Sequence, residues 1–357
     1  MRRIPRLLLG VGVAATTFAA ALTSTAAAAQ STAAAAQSAA PTVRSAASAG
    51  HQESARFSAA QQRAARAFWT PARLAAAVDL DALPTSGRPA GTGARPGTAS
   101  APPEATTAPT AVPPALPASG APATGGVRPQ TTSPQRWTGG GLISSTAGKV
   151  FFSNSSGTYA CSGDAVNSGN KSIVATAGHC VVDANTGEVY QNWVFIPGYD
   201  HGNRPHGTFT ASSLHWMSQR IGDPDPTWDA AFATMSPLNG TKLVDAVGGE
   251  GIGFDQTPGQ YVYSFGYGGS DAEGNGEQLN WCAGTEFFES GHPGGGIWGI
   301  DCVQTGGSSG GPFLQNFDTS TGIGTQIGNI SVSSGSNEWH PYYGSEAHDA
   351  YNAADAA

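Results

Sequence analysis

The chain has 357 residues, a formal net charge of −8, 12% charged residues, 49 glycines and 24 prolines. That length suits one or two domains, and so much glycine and proline excludes an ordinary helical protein. The charge is unevenly divided. Residues 1–136 hold 12 of the 17 basic and 4 of the 25 acidic residues, which leaves 5 basic and 21 acidic, a formal −16, for the rest. A body that acidic repels phosphate, so no nucleic-acid partner is expected.

Met1-Arg2-Arg3-Ile4-Pro5-Arg6 is a positive n-region, Leu7 to about Leu22 is apolar and small, and Ala27-Ala28-Ala29 precedes Gln30. This pattern predicts a signal peptide over 1–29, hence a secreted, extracellular protein. Later stretches are too short and too polar to span a bilayer, so no membrane association is expected once the signal is removed. Residues 30–136 read as a low-complexity pro-region and linker. Ser58–Trp69 is expected to form a short helix limited by Pro71, and 84–135 to be extended or disordered. The boundary is placed near Arg136-Trp137, with Arg136 as a candidate processing point. Between Gln30 and Arg136 there are 9 Arg against 4 acidic residues. This basic stretch is expected either to be drawn to the acidic body, in a salt-sensitive way, or to serve as a solubilising linker.

From 137 to 357 the character changes. Short β-branched and aromatic runs alternate with Gly/Asn/Ser/Pro turns: Lys149–Phe152, Ser172–Ala175, Trp193–Ile196, Ala230–Ala233, Tyr261–Phe265 and Thr325–Ser331. They predict an all-β antiparallel barrel or sandwich, followed by a helix over Ser345–Ala354.

Two stretches carry chemistry. Thr305-Gly306-Gly307-Ser308-Ser309-Gly310-Gly311-Pro312 surrounds a serine with glycine, at a cost in backbone entropy. A nucleophilic serine needs that freedom, because its hydroxyl must stand at a tight turn with N–H groups aimed at the developing oxyanion. Ser309 is read as that nucleophile and the N–H groups of Gly307 and Ser309 as the oxyanion hole. Upstream, Ile173-Val174-Ala175 leads into Thr176-Ala177-Gly178-His179-Cys180, a strand that delivers a histidine at its end.

Together the T-A-x-H-C and G-x-S-G-G-P patterns resemble the chymotrypsin-like (trypsin-like) serine peptidases over roughly residues 140–357. The style is that of the secreted bacterial branch, which includes the glutamyl-endopeptidase-like enzymes. The resemblance implies two six-stranded β-barrels with the active site in the cleft between them, His179 as base and Ser309 as nucleophile, without cofactor or metal. It also implies an acid between them in the chain. Asp229, entering the apolar run Ala230-Ala231-Phe232-Ala233, fits the family's D-x-A pattern, and burying it is expensive unless it is paired. Asp225 is the runner-up, and Asp223 and Asp225 both read as turn residues. Protein or peptide substrates and a monomer are expected.

Four cysteines allow three connectivities. Local pairing, Cys161–Cys180 and Cys282–Cys302, is expected, and the resemblance implies the first beside the histidine. Each bridge would contribute roughly 3 kcal/mol in the chain-entropy model. No paired C-x-x-C spacing suggests zinc.

The chain departs from the family in two places. Ser308 stands where an Asp usually precedes the nucleophile, so activation by an ion pair to a new N-terminus is not expected. Val303 stands where trypsin-like members place their selecting acid, and Ile330 about where glutamyl endopeptidases place a histidine. The pocket residues Val303, Gln304, Ile330, Ser331 and Val332 therefore suggest a neutral site for apolar or small side chains. Two other readings fit parts of the sequence. Gly307–Gly311 also satisfies the G-x-S-x-G of serine esterases, which would require βαβ units. An inactive binding module of the same fold would keep the motifs.

Overall fold

The computed structural model describes residues 42–44, 52–80, 108–117, 131–292 and 296–357. The signal peptide read at 1–29 and most of the linker lie outside these residues. In chain order the first elements are β1 (Thr42–Arg44), β2 (Gln52–Arg56), α1 (Ala59–Phe68), α2 (Pro71–Ala75), β3 (Val78–Asp79), β4 (Thr110–Val112) and β5 (Gln135–Arg136). α1 begins where Ser58 and Gln61 form a reciprocal capping box, and α2 where Thr70 caps Arg73 with Pro71 in the first turn.

The body follows with α3 (Ile143–Thr146), β6 (Ala147–Ser153), β7 (Thr158–Val166), β8 (Ile173–Thr176), β9 (Gln191–Pro197), β10 (Phe209–Met217) and β11 (Ala231–Met235). These six strands close a barrel in the order β6-β7-β8-β11-β10-β9, with β9 returning to β6. Every pairing within it is antiparallel. Its interior is filled by Val150, Phe152, Cys161, Val174, Trp193, Phe195, Leu214 and Ala233. β6 and β8 are buried on both faces, which is why they read as continuous apolar runs instead of alternating ones.

The second half contains α4 (Leu243–Val247), β12 (Gly251–Phe254), β13 (Tyr261–Gly266), β14 (Asn280–Thr285), β15 (Phe287–Glu289), β16 (Ile297–Ile300), β17 (Pro312–Asp318), β18 (Ile323–Asn329), β19 (Val332–Ser334), β20 (Asn337–Pro341) and α5 (Ser345–Asp355). The expected second closed barrel is not one sheet here. Its strands form a seven-stranded sheet, β4-β12-β18-β17-β13-β14-β5, and a four-stranded sheet, β15-β16-β20-β19. The ladder parts between β18 and β19 for a local reason. Ile330 and Ser331 turn aside, Ile330 pairing with the backbone of Gly310 and Gly311 and Ser331 reaching Asp229. Among the named strands only β3–β7 and β12–β18 pair in parallel, so the βαβ units that the esterase reading requires are not found among the described residues.

α5 buries Ala347, Ala350, Tyr351 and Ala354 against a cluster that includes Phe232, Phe254 and Tyr343. Each large side chain so buried contributes about 1.5–3 kcal/mol. Residues ahead of Trp137 also join the sheets. β2 lengthens the barrel sheet along β10, β4 and β5 pair with β12 and β14, and Trp137 stacks edge-on to Phe265 and Trp281.

Where β7 passes the start of β12, two carboxyl groups are fully buried. Burial pushes Asp164 up to about 8. Burial and the neighbouring Asp164 push Glu250 well above the usual carboxylate range, although Gly324 N donates to Glu250 Oε2 at 2.7 Å. The folded chain therefore keeps a proton that the unfolded chain releases near pH 4. Its stabilising effect is complete below about pH 4 and is lost as pH rises toward the folded value. Urea midpoints of wild type and Asp164→Asn, compared across pH 5–8, should show the variant gaining steadily as pH rises. A difference independent of pH would contradict this account of a proton retained by burial.

Candidate active site

β8 ends at Thr176, whose Oγ1 donates to Ser162 O at 2.9 Å, and the next residues wind into a single 3₁₀ turn, Gly178–Cys180, that carries His179. On the neighbouring strand of the barrel, another 3₁₀ turn, Pro226–Trp228, delivers Asp229 just ahead of β11. The two meet. His179 N donates to Asp229 Oδ1 at 2.7 Å, and His179 Nδ1 lies 2.7 Å from Asp229 Oδ2. The histidine side chain is 15% exposed and the aspartate 2%.

A carboxylate so buried needs compensation, and two further groups supply it while a third holds the backbone of the same residue. Ser331 Oγ donates to Oδ2 at 2.6 Å, Arg220 Nη1 stands 3.3 Å from Oδ1, and Asn329 Nδ2 donates to the Asp229 carbonyl at 3.0 Å. Burial alone would raise the carboxyl. Arg220 and His179, with hydrogen bonds from His179 and Ser331, overcome it and hold Asp229 at about 2. Asp225 is elsewhere. It caps Thr227 N and faces His292 Nδ1 at 3.0 Å, while Asp223 accepts from Trp228 Nε1.

Ser309 sits on a double turn. Ser308 N and Oγ both donate to Thr305 O, and Gly311 N donates to Ser308 O at 2.9 Å. Gly307 and Gly310 have φ of 94° and 87°, values that side chains rarely adopt. A Cβ on Gly310 would also strike Thr176 Oγ1 and Ser162 O. Ser162 of β7 anchors the turn from below: its N donates to Ser309 O at 2.7 Å and its Oγ to Gly307 O at 2.8 Å. Gly269 N donates to Gly306 O at 2.8 Å. In a trans peptide that bond aims the Gly307 N–H the opposite way.

Both expected disulfides are present, with Cα separations of 6.3 Å for Cys161–Cys180 and 5.9 Å for Cys282–Cys302. The first joins the two halves of the site. Cys180 Sγ lies 3.8 Å from Ser309 O, and a ring nitrogen of His179 lies within 4.8 Å of both sulfurs. Those sulfurs are bonded to each other, so the cluster offers no thiolate to a metal.

The five expected pocket residues separate. Ile330 is buried in the apolar cluster around Cys282–Cys302, and Ser331 turns to Asp229. Gln304 is buried, its N donating to Glu338 Oε2 at 2.8 Å and its O accepting from Ser333 Oγ. Val303 is half-buried and Val332 exposed. Burial pushes Glu338 up to about 7 in spite of hydrogen bonds from Ser264 and Gln304.

The sequence reading missed Arg220, Asn329, Ser162 and Glu273, whose carboxylate accepts from Thr305 N and Oγ1 at the head of the serine turn. One signal was available for Arg220. It is one of only five basic residues after Trp137, yet it is buried.

No protein-family model matches this chain, and no curated protein does. Solved structures do. The protease Anisep from Arthrobacter nicotinovorans is 37% identical, with 63% of this chain and all of that one covered at a TM-score of 0.58. A thermostable serine protease, AL20, from an extremophilic microorganism is 37% identical over 60% of this chain and 99% of its own, at a TM-score of 0.56. A Glu endopeptidase shares the fold at 15% identity, with 63% of this chain and 97% of that one covered and a TM-score of 0.50. On the closed barrel, the T-A-x-H-C and G-x-S-G-G-P stretches and these likenesses, the chain belongs to the chymotrypsin-like serine proteases, alongside bacterial members.

Proposed function

We propose that the chain is a secreted serine endopeptidase that hydrolyses peptide bonds through His179, Asp229 and Ser309. The observation that carries the reading is the paired 2.7 Å contacts between His179 and the buried Asp229, held beside the anchored turn of Ser309. His179 takes the Ser309 proton as Oγ attacks the substrate carbonyl. Asp229 fixes the imidazole through Nδ1 and stabilises the imidazolium. The N–H groups of Gly307 and Ser309 receive the oxyanion. His179 then protonates the leaving amine, and a water activated by the same ring releases the acyl group.

The remaining expectations are part of the same proposal. The two sheets of the C-terminal half serve as a split second barrel, and the cleft lies between it and the closed one. No metal or cofactor takes part. The enzyme acts as a monomer on protein or peptide substrates, with a neutral pocket built around Val303, Gln304, Ile330, Ser331 and Val332. An N-terminal signal and two disulfides support export. Among the described residues no helix is long and apolar enough to cross a membrane.

A fluorophosphonate probe should label the wild type, and labelling should vanish in Ser309→Ala and His179→Ala. Labelling that survives Ser309→Ala would move the nucleophile elsewhere. Asp229→Asn should reduce kcat by on the order of 10⁴, and a loss of less than about tenfold would remove Asp229 from the mechanism.

Arg220 bears on the pH profile. Its guanidinium next to Asp229 offsets part of the negative charge that favours imidazolium over neutral His179. Removing that cation lets the imidazolium persist to higher pH. The acidic limb of kcat/KM in Arg220→Leu should therefore move upward by on the order of one pH unit, and Arg220→Lys should restore most of it. An unmoved limb would limit Arg220 to a packing role.

A further inference from the structure

The segment Gln52–Asp79 carries Arg56, Arg63, Arg66 and Arg73 against Glu53 and Asp79. It is built onto the barrel. β2 pairs with β10 from Met217 to Ser213, and Phe57 N continues the ladder to Ser212 O at 2.8 Å. Trp69 is 3% exposed, its ring 5.5 Å from that of Phe151 and its Nε1 donating to Asn192 O at 2.6 Å. Ser236 Oγ donates to Gln62 Oε1. The segment then ends in β3, which runs parallel to Tyr159–Ala160 of β7, the residues that lead directly into Cys161 and Ser162.

This course brings the Asp79 carboxylate to the serine turn. A Cβ on Gly307 would lie 2.5 Å from Asp79 Oδ1, and one on Gly269 would strike Oδ2. The absence of side chains at both positions leaves room for the carboxylate. The Lys149 ammonium is close by. A Cβ on Gly276 would lie 3.0 Å from Lys149 Nζ and 3.9 Å from Asp79 Oδ1. Lys149 is buried, with its Nζ 5.4 and 5.3 Å from the ring centroids of Phe151 and Tyr199. Burial lowers its pKa, and the charges of Asp79 and Glu277 partly oppose this. An ammonium in that position favours an anionic partner.

This placement has a consequence for the reaction. The backbone of Val78–Asp79 covers the β7 edge beside Ser162, so a polypeptide approaching on that side meets chain already in place.

We propose that Lys149, Gly269, Gly276 and Gly307 form a docking site for an acidic side chain, and that its occupant is Asp79 of the chain's own N-terminal segment, which acts as a tethered inhibitor of the Ser309 site. The proposal rests on the endopeptidase reading above. The arginines of the segment, facing a body of formal charge −16, add a salt-sensitive attraction.

The test uses the intact full chain and the rate of Ser309-dependent fluorophosphonate labelling. Asp79→Asn should be labelled on the order of tenfold faster than wild type at low salt. Asp79→Glu, which keeps the charge, should stay slow. Wild type in about 1 M NaCl should approach the Asp79→Asn rate, a measurement that does not depend on how any variant folds. Ser309-dependent labelling that is no faster in Asp79→Asn, or slower, together with no effect of salt on wild type, overturns the docking inference and leaves the endopeptidase reading intact. The absence of Ser309-dependent labelling in every form overturns both.

Discussion

A buried carboxylate is the constraint on which the rest of the site depends. Asp229 is 2% exposed and stays ionised down to about pH 2. Such a charge survives in the interior only while several donors point at it. Those donors come from separate parts of the chain: His179 after β8, Arg220 after β10, and Ser331 in the break between β18 and β19. Satisfying one anion thus fixes the relation of two barrel strands to a loop of the C-terminal half. It also explains the geometry of that half. Ile330 and Ser331 cannot continue the β18 ladder and also reach Gly310, Gly311 and Asp229, so the sheet is interrupted at the residues that complete the site.

The serine turn is held by a different means. Its carbonyls are tied down, with Gly307 O and Ser309 O on Ser162 and Gly306 O on Gly269. The Cys161–Cys180 bridge puts His179 next to the same strand that carries Ser162. Ser309 and His179, the proposed nucleophile and base, are therefore referred to one short piece of β7. Rigid support of this kind lets an oxyanion hole act without reorganising during the reaction.

The parts of this arrangement that were legible in the sequence are those whose chemistry is local. Glycines around Ser309, a β-branched run ending at His179 and an acid entering an apolar strand each show within a few residues. Strand positions, the terminal helix and both cysteine pairs followed from similar local patterns. What escaped is the set of residues whose role depends on distant partners. Arg220 lies nine positions from Asp229 in a loop of ordinary composition, and nothing local distinguishes it. Ser331 stands in the pocket set read from the sequence, and its bond to Asp229 was not legible there. Pairing across the sheets decides both, and a one-dimensional pattern carries no record of it. The low count of basic residues after Trp137 was the usable clue. When only five cations serve a body that acidic, each buried one has a specific anion to balance, and Arg220 and Lys149 are both buried.

The departure at Ser308 then acquires a structural meaning. An aspartate at that position would need an ammonium from elsewhere to order the turn. Here Ser308 closes on Thr305 through its own hydroxyl, Glu273 holds Thr305, and Gly269 holds Gly306. The turn is ordered by neighbours that are present before any processing, so no new N-terminus has to arrive to build it. With the turn ordered in this way, the latency proposed above works by covering. The only chain segment described ahead of residue 108 that reaches the turn is the one ending in Asp79, and it arrives with an anion beside the buried lysine of β6. Latency by covering, in place of latency by disorder, is the regulation that a self-supporting serine turn permits.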